Sequence, residues 1–333
     1  MSTPATSTST ATPATTRRVR IVCISDTHNA SPKHGAFKLP RGDILIHAGD
    51  LTNQGTYREL AEVVDWIADA EGFQAKVMIA GNHDLTLEKD YYEQVGFKFN
   101  NRNPQTPDNC IRLLRETASQ KGITYLQHES HRITITHPSE NGSKQTSTLN
   151  FFGSPWIPSC GPWAFSYRSP DTRTEELDLK VKELWAQIPD DTDVLVTHGP
   201  PAGHCDVNPS GLVGCKVLAE RVRQVRPLLH VFGHVHAGRG YERVRWDEKD
   251  EDGREVVEAS EITGKAGDGK TQGIVDLTGR RKDDKGVFGR KIQNGLRSGR
   301  RETCFINPAI KSGVGAAGQW NAPIVVEVDL PVD

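Results

Sequence analysis

KVMIAGNHD, from Lys76 to Asp84, is the stretch on which the reading of this chain turns. The apolar run Val77–Ala80 has no polar alternation, which suits a strand buried on both faces. An amide, an imidazole and a carboxylate follow it directly, where open α/β sheets place their sites, beyond the carboxyl ends of strands. Gly-Asn alone is also common turn chemistry. Four further polar clusters follow apolar runs in the same way: SDTH from Ser25, HAGD from His47, THGPP from Thr197 and FGHVH from Phe232.

Working outward, VRIVCIS (19–25), DILIHAG (43–49), DVLVTHG (193–199) and LLHVFGH (228–234) read as buried strands like KVMIAG (76–81). Between them Leu60, Val63, Val64 and Ile67 keep helical spacing, as do Leu177, Val181, Leu184 and Ile188, and Leu218, Val222 and Val225. Strands alternating with such helices predict α/β units. Weaker alternation at 131–137, 150–155, 303–307 and 323–328 predicts a second sheet.

The chain has 333 residues, 35% hydrophobic and 25% charged, with a net charge of −2. That balance provides no general basic field, so no nucleic-acid polymer is expected as a partner. The apolar runs fall well short of the ~20 residues a membrane helix needs, so no membrane role is expected. The six cysteines form no CxxC pair and read as reduced thiols, which with the rest predicts a cytoplasmic protein. Residues 1–17 read as a disordered tail rich in Ser, Thr, Pro and Ala, lacking the apolar core of a secretory signal. Arg17, Arg18 and Arg20 would suit mitochondrial targeting, but two prolines and no amphipathic pattern argue against it. Residues 18–333 read as one domain carrying a charged insertion at 246–301. That insertion is expected to be a solvated, disordered loop or a docking segment.

Together the five clusters offer Asp26, His28, Asp50, Asn82, His198, His234 and His236. Such a mixed oxygen and nitrogen set suits divalent Mn, Fe or Zn rather than Ca. It is too large for one tetrahedral ion and suits two ions sharing a carboxylate. Each part also has a plainer reading. Alternate residues on a strand share a face for structural reasons, and Asn82 serves equally as a turn residue. Five such clusters in this order are not independent accidents.

The order D-x-H, G-D, G-N-H-D, H-G-P-P and G-H-x-H resembles the calcineurin-like metallophosphoesterase superfamily. VRIVCISDTHN, GDILIHAGDLT, IAGNHDLT, VLVTHGPP, SPWIPSCGPWAF and CFINPA are most similar to its metallophosphoesterase-domain proteins of the brain-239 type. The resemblance implies a four-layer α/β/β/α sandwich of two mixed sheets flanked by helices. It also implies two divalent ions, Mn2+ or Fe2+/Fe3+ with Zn2+ as the further choice. Asp26, His28 and His236 would hold one ion, Asn82, His198 and His234 the other, and Asp50 would bridge them. Some animal relatives carry Gly where this chain has His234 and are weak catalysts, so an intact His234 implies an active enzyme.

Two ions about 3.5–4 Å apart clamp a phosphoryl group, and a hydroxide between them is available at neutral pH for attack. His83, beside Asn82, is then placed to protonate the departing alkoxide or to serve only as a structural neighbour. Phosphoprotein phosphatases of the superfamily orient this His with an Asp where the present chain has Asn53. Their paired-arginine phosphate grip is missing as well. Both departures point to phosphodiesters such as cyclic nucleotides, with monoesters or phosphoproteins as the alternative substrates and a non-catalytic scaffold as the rival role. Trp156 and Trp163, in a Gly/Pro-rich stretch, read either as a platform for a nucleobase or as core packing.

Overall fold

The computed structural model describes residues 15–100, 102–138, 144–167, 175–209, 211–249, 255–260, 273–280, 300–312 and 319–332. A six-stranded sheet runs in the order Gly273–Asp276, Ile324–Pro331, Thr16–Ile24, Ile44–Ala48, Ala75–Ile79, Ile123–Leu126. A seven-stranded sheet runs Glu255–Ser260, Gly240–Lys249, Glu302–Asn307, Leu229–Val231, Val194–Thr197, Gln145–Ser154, Glu129–His137. Both have parallel centres and antiparallel members outside them.

Period-two alternation sorts each strand between two environments. Val19, Ile21 and Cys23 point between the sheets, where they meet Phe151, Val194, Val196 and Ile306. Val22 and Ile24 point the other way, onto the helix Tyr57–Ala68, which buries Leu60, Val63, Val64 and Ile67. That helix starts on a capping box in which Thr56 and Glu59 satisfy each other's backbone N–H. Behind the second sheet, Phe152, Leu195 and Phe305 pack on the helices Glu175–Ala186 and Lys216–Val225 through Val181, Trp185, Leu218 and Val222. The layers are α/β/β/α, the four-layer sandwich expected from the motifs.

Two boundaries need correction. Thr16 and Arg17, assigned to a disordered tail, pair with Pro331 and Leu330, because backbone pairing with the long last strand continues beyond the apolar run. Residues 1–14 lie outside the described residues.

The stretch 246–301 is not simply a disordered loop. Glu255–Ser260 adds an edge to the second sheet and Gly273–Asp276 an edge to the first. Val275 and Leu277 are buried between the sheets, and Trp246 is buried with its Nε1–H on Thr303 Oγ1, 2.9 Å away. Arg300 is buried against the Asp193 carboxylate. The apolar runs of these two edges, EVV and GIVDL, are short and flanked by charged residues, yet they suffice for edge strands. Residues 250–254, 261–272 and 281–299 lie outside the described residues. The segments flanking this stretch, RGYERVR and TCFIN, are antiparallel neighbours, Gly240 opposite Asn307. Among the described residues, no helix is long and apolar enough to cross a membrane.

Candidate metal centre

The parallel strands Thr16–Ile24, Ile44–Ala48 and Ala75–Ile79 end side by side, so Asp26 and His28, Asp50, and Asn82 with His83 leave from adjacent carboxyl ends. In the second sheet, Val194–Thr197 and Leu229–Val231 do the same for His198 and for His234 and His236. Hydrogen bonds tie the two sets together. His198 Nδ1 donates across to the Ala48 carbonyl at 2.9 Å, and the His234 amide donates to both Asp26 oxygens at 3.0 and 3.1 Å. All seven expected donors meet at this seam.

Asp50 sits at the middle. Its Oδ2 lies 3.5 Å from His28 Nε2 and its Oδ1 lies 3.2 Å from His198 Nε2. On one side, His236 Nε2 is 3.3 Å from Asp26 Oδ1 and 3.4 Å from His28 Nε2. On the other, His198 Nε2 is 3.0 Å from Asn82 Oδ1, and the His234 ring stands 5.2 Å from that of His198. Three triads bring their donor atoms within 4.8 Å of one another and could each hold an ion: Asp26, His28 and His236; Asp26, Asp50 and His198; His28, Asp50 and His83.

The chain adopts unfavourable backbone to achieve this. Asp26 (φ 51°), His28 (43°), Asp50 (50°) and His234 (66°) are all left-handed, a conformation uncommon for residues other than glycine and concentrated at functional sites. Close packing makes two glycines obligatory. A Cβ on Gly81 would stand 2.1 Å from the Asp50 amide, and one on Gly233 would stand 2.2 Å from Asp26 Oδ2.

Charge at the seam calls for a cation. Burial opposes ionisation of both carboxylates, yet His236 holds Asp26, and His198 holds Asp50, below the ordinary range. Burial also acts to lower His198, but Asp50 outweighs it and raises the ring to about 9. His28 and His234 go the other way: burial lowers each to about 4, leaving a neutral imidazole able to bind metal. Among the described residues no arginine or lysine pairs with Asp26 or Asp50. Two buried carboxylates that draw protons onto their imidazole neighbours, and two Nε2 atoms turned toward each other, form a donor set that divalent ions fit.

His83 hangs at the rim. Its Nδ1 is 2.9 Å from the Asn53 carbonyl, which can only accept, so Nδ1 carries the proton and Nε2 is left for the site. The Asn53 contribution is thus its backbone rather than its exposed side chain. Trp163 stacks on the His83 ring with centroids 3.8 Å apart, so it contacts the site residue instead of standing as an open platform. Trp156 sets its ring edge-on to Phe165 and packs against the core. Two further residues support the site. Asp84 accepts from the Gly81, Leu51 and Thr52 amides, tying two ligand loops together, and burial raises it to about 7. Lys311 donates its amide to the Asp26 carbonyl, and its charge reaches both His28 and His236. The only signal for Lys311 was its nearness to CFINPA.

A two-sheet sandwich with carboxylates and imidazoles converging at its seam defines a class of metal-centred protein. Residues 19–238 match the model of the calcineurin-like phosphoesterases, and the chain belongs to that family, which implies a dinuclear site for divalent metal. The chain is 32% identical over 228 residues to human metallophosphoesterase domain-containing protein 1, covering 66% of this chain and 61% of that one. It is 34% identical over 222 residues to the UPF0046 protein K07C11.7 of Caenorhabditis elegans, covering 67% and 65%. It is 40% identical over 231 residues to a probable rhamnogalacturonate lyase C of Emericella nidulans, covering 69% of this chain. The match spans only 18% of that protein, whose name describes a much longer chain. The chain thus spans less than two thirds of the length of each of these relatives.

Proposed function

We propose that the chain hydrolyses small phosphodiesters, of which cyclic nucleotides are the type, using two divalent ions held at the seam. The observation that carries this reading is Asp50, whose two oxygens address different imidazoles, His28 at 3.5 Å and His198 at 3.2 Å. Asp26, His28 and His236 would hold one ion, Asn82, His198 and His234 the other, with Asp50 shared. Bound there, such ions supply Lewis acidity toward phosphoryl oxygens and a nucleophile at neutral pH.

The remaining tasks fall to the protein. His83 keeps its Nδ1–H on the Asn53 carbonyl, and in its imidazolium form the Nε2–H passes to the leaving oxygen, which returns the ring to the Nδ1–H tautomer. Lys311, whose backbone amide donates to the Asp26 carbonyl, carries one positive charge beside the seam, and one positive charge matches the single negative charge of a diester. Mn-loaded protein assayed on bis-p-nitrophenyl phosphate, p-nitrophenyl phosphate and 3′,5′-cyclic AMP tests the proposal. Turnover of the diesters ahead of the monoester is expected. Faster turnover of the monoester, or none of any ester by metal-loaded protein, would contradict it.

A proton-donating His83 carries a second expectation. A general acid contributes about 10²–10⁴-fold, most where the leaving alkoxide is basic. His83→Ala should therefore lose far more kcat on the cyclic nucleotide than on bis-p-nitrophenyl phosphate, whose phenolate leaves without a proton. Equal losses would assign His83 to phosphoryl charge instead, and loss of metal would make it a ligand.

A further inference from the structure

We infer that Trp163 is a positioning residue for His83, and that the 161–167 loop exists to hold that imidazole with Nε2 facing the site. This rests on the reading of His83 above. The indole and imidazole planes lie 28° apart with centroids 3.8 Å apart, a stack rather than an incidental touch. His28 closes a second side of the His83 ring, edge-on at 4.7 Å. With Nδ1 fixed on the Asn53 carbonyl, the ring is constrained in rotation by the hydrogen bond and in tilt by the indole.

Trp163 is itself held from several directions. Phe99 backs it at 5.3 Å, and the Ser166 hydroxyl donates to its carbonyl at 2.9 Å. The next residue, Ala164, donates its amide to the carbonyl of Asn82 at 3.2 Å, so the loop is fastened to the very turn that presents His83. Phe165 then takes a left-handed backbone (φ 54°), buries its ring and donates its amide to the Glu88 carboxylate. A loop of Gly, Pro and aromatics that only filled space would not need the bond from Ala164 to the GNHD turn. A tryptophan serving as a base platform would leave the face toward the site open, whereas here that face carries the imidazole.

The arrangement explains how His83 is oriented in a chain lacking a carboxylate for the purpose. A backbone carbonyl sets the tautomer and an indole sets the plane, so positioning needs no charged partner.

The test compares wild type, Trp163→Ala, Trp163→Phe, His83→Ala and the double variant. Metal-free protein is examined by 1H–13C NMR, and Mn-loaded protein is assayed with 3′,5′-cyclic AMP. In the metal-free spectrum the His83 Cε1–H signal, identified by its loss in His83→Ala, should shift when Trp163 becomes Ala and return partway with Phe. Trp163→Ala should lower kcat about 10- to 100-fold, the scale for a misplaced catalytic group, with KM within about twofold. Phe should recover most of the loss, and Trp163→Ala should add nothing in the His83→Ala background. A raised KM with kcat preserved, an unmoved His83 signal, or a further loss in the double variant would overturn the inference while leaving His83 in its role. Full kcat in His83→Ala would overturn both.

Discussion

The two sheets support their ligand loops in the same way and load them differently. In the first, buried His47 donates Nε2–H to Thr27 at 2.8 Å, and the Thr27 hydroxyl donates to the Leu51 carbonyl, just after Asp50. In the second, buried His230 does the same to Thr197 at 2.8 Å, and that hydroxyl donates to the Gly199 carbonyl, just after His198. Each relay locks a loop that carries a ligand. Yet the first sheet delivers both carboxylates and the amide, while the second delivers imidazoles alone. Neither half has the donors for two ions, so the centre is a property of the packed seam.

Substitutions at the two obligatory glycines should break the comparison most severely. Gly81→Ala drives a methyl into Asp50, and Gly233→Ala drives one into Asp26. Overpacking of this kind costs typically 1–3 kcal/mol. Both variants should show a lower denaturation midpoint and a loss of bound metal. A benign result at one glycine would mean that half of the seam tolerates more room than the other.

Lys311 sharpens the comparison, because it lies against the acid-bearing half through its bond to the Asp26 carbonyl. If its ammonium meets the substrate charge, Lys311→Ala should lower kcat/KM on the diester by roughly tenfold to a hundredfold, the value of one charge-assisted hydrogen bond. Metal content should not change. An unaltered kcat/KM would remove Lys311 from the substrate site.

The smallest effect probes the relays themselves. Burial lowers His47 to about 3 and holds His230 well below its ordinary value. Both rings are neutral in the fold and take up a proton on unfolding once the pH is below about 6.5. Their stabilisation is therefore fully present above about 6.5 and is lost as the pH falls toward the folded value. Each ring contributes a slope of up to about 1.4 kcal/mol per pH unit in that window. Gln at either position keeps a donor for the threonine and removes the titration. His47→Gln and His230→Gln should flatten the dependence of denaturant stability on pH between about 6.5 and 4, by similar amounts. A flattening confined to one variant would show that the two relays are not equivalent.

Much of this was legible because the chemistry is local. A buried strand followed by a polar cluster is a pattern of neighbours in sequence, and five repetitions of it marked the seven side chains that the fold brings together. What escaped depends on distance along the chain. His47 and His230 read as strand residues, since their threonines lie 20 and 33 positions away. Trp163 lies some 80 residues from the ring it stacks on, and aromatics in a loop have a ready explanation as packing. The edge strands at 255–260 and 273–276 escaped because few apolar residues suffice at a sheet edge, and their charged neighbours dominated the composition.

The central claim is that two ions share Asp50. Elemental analysis of Mn-loaded wild type and Asp50→Ala, with folding checked by circular dichroism, tests it directly. About two ions per chain are expected in wild type. In Asp50→Ala, folded but without the carboxylate that addresses both His28 and His198, both ions should be lost together, and hydrolysis of bis-p-nitrophenyl phosphate with them. One ion per chain in wild type, or a folded Asp50→Ala that retains two ions and full activity, would contradict the account.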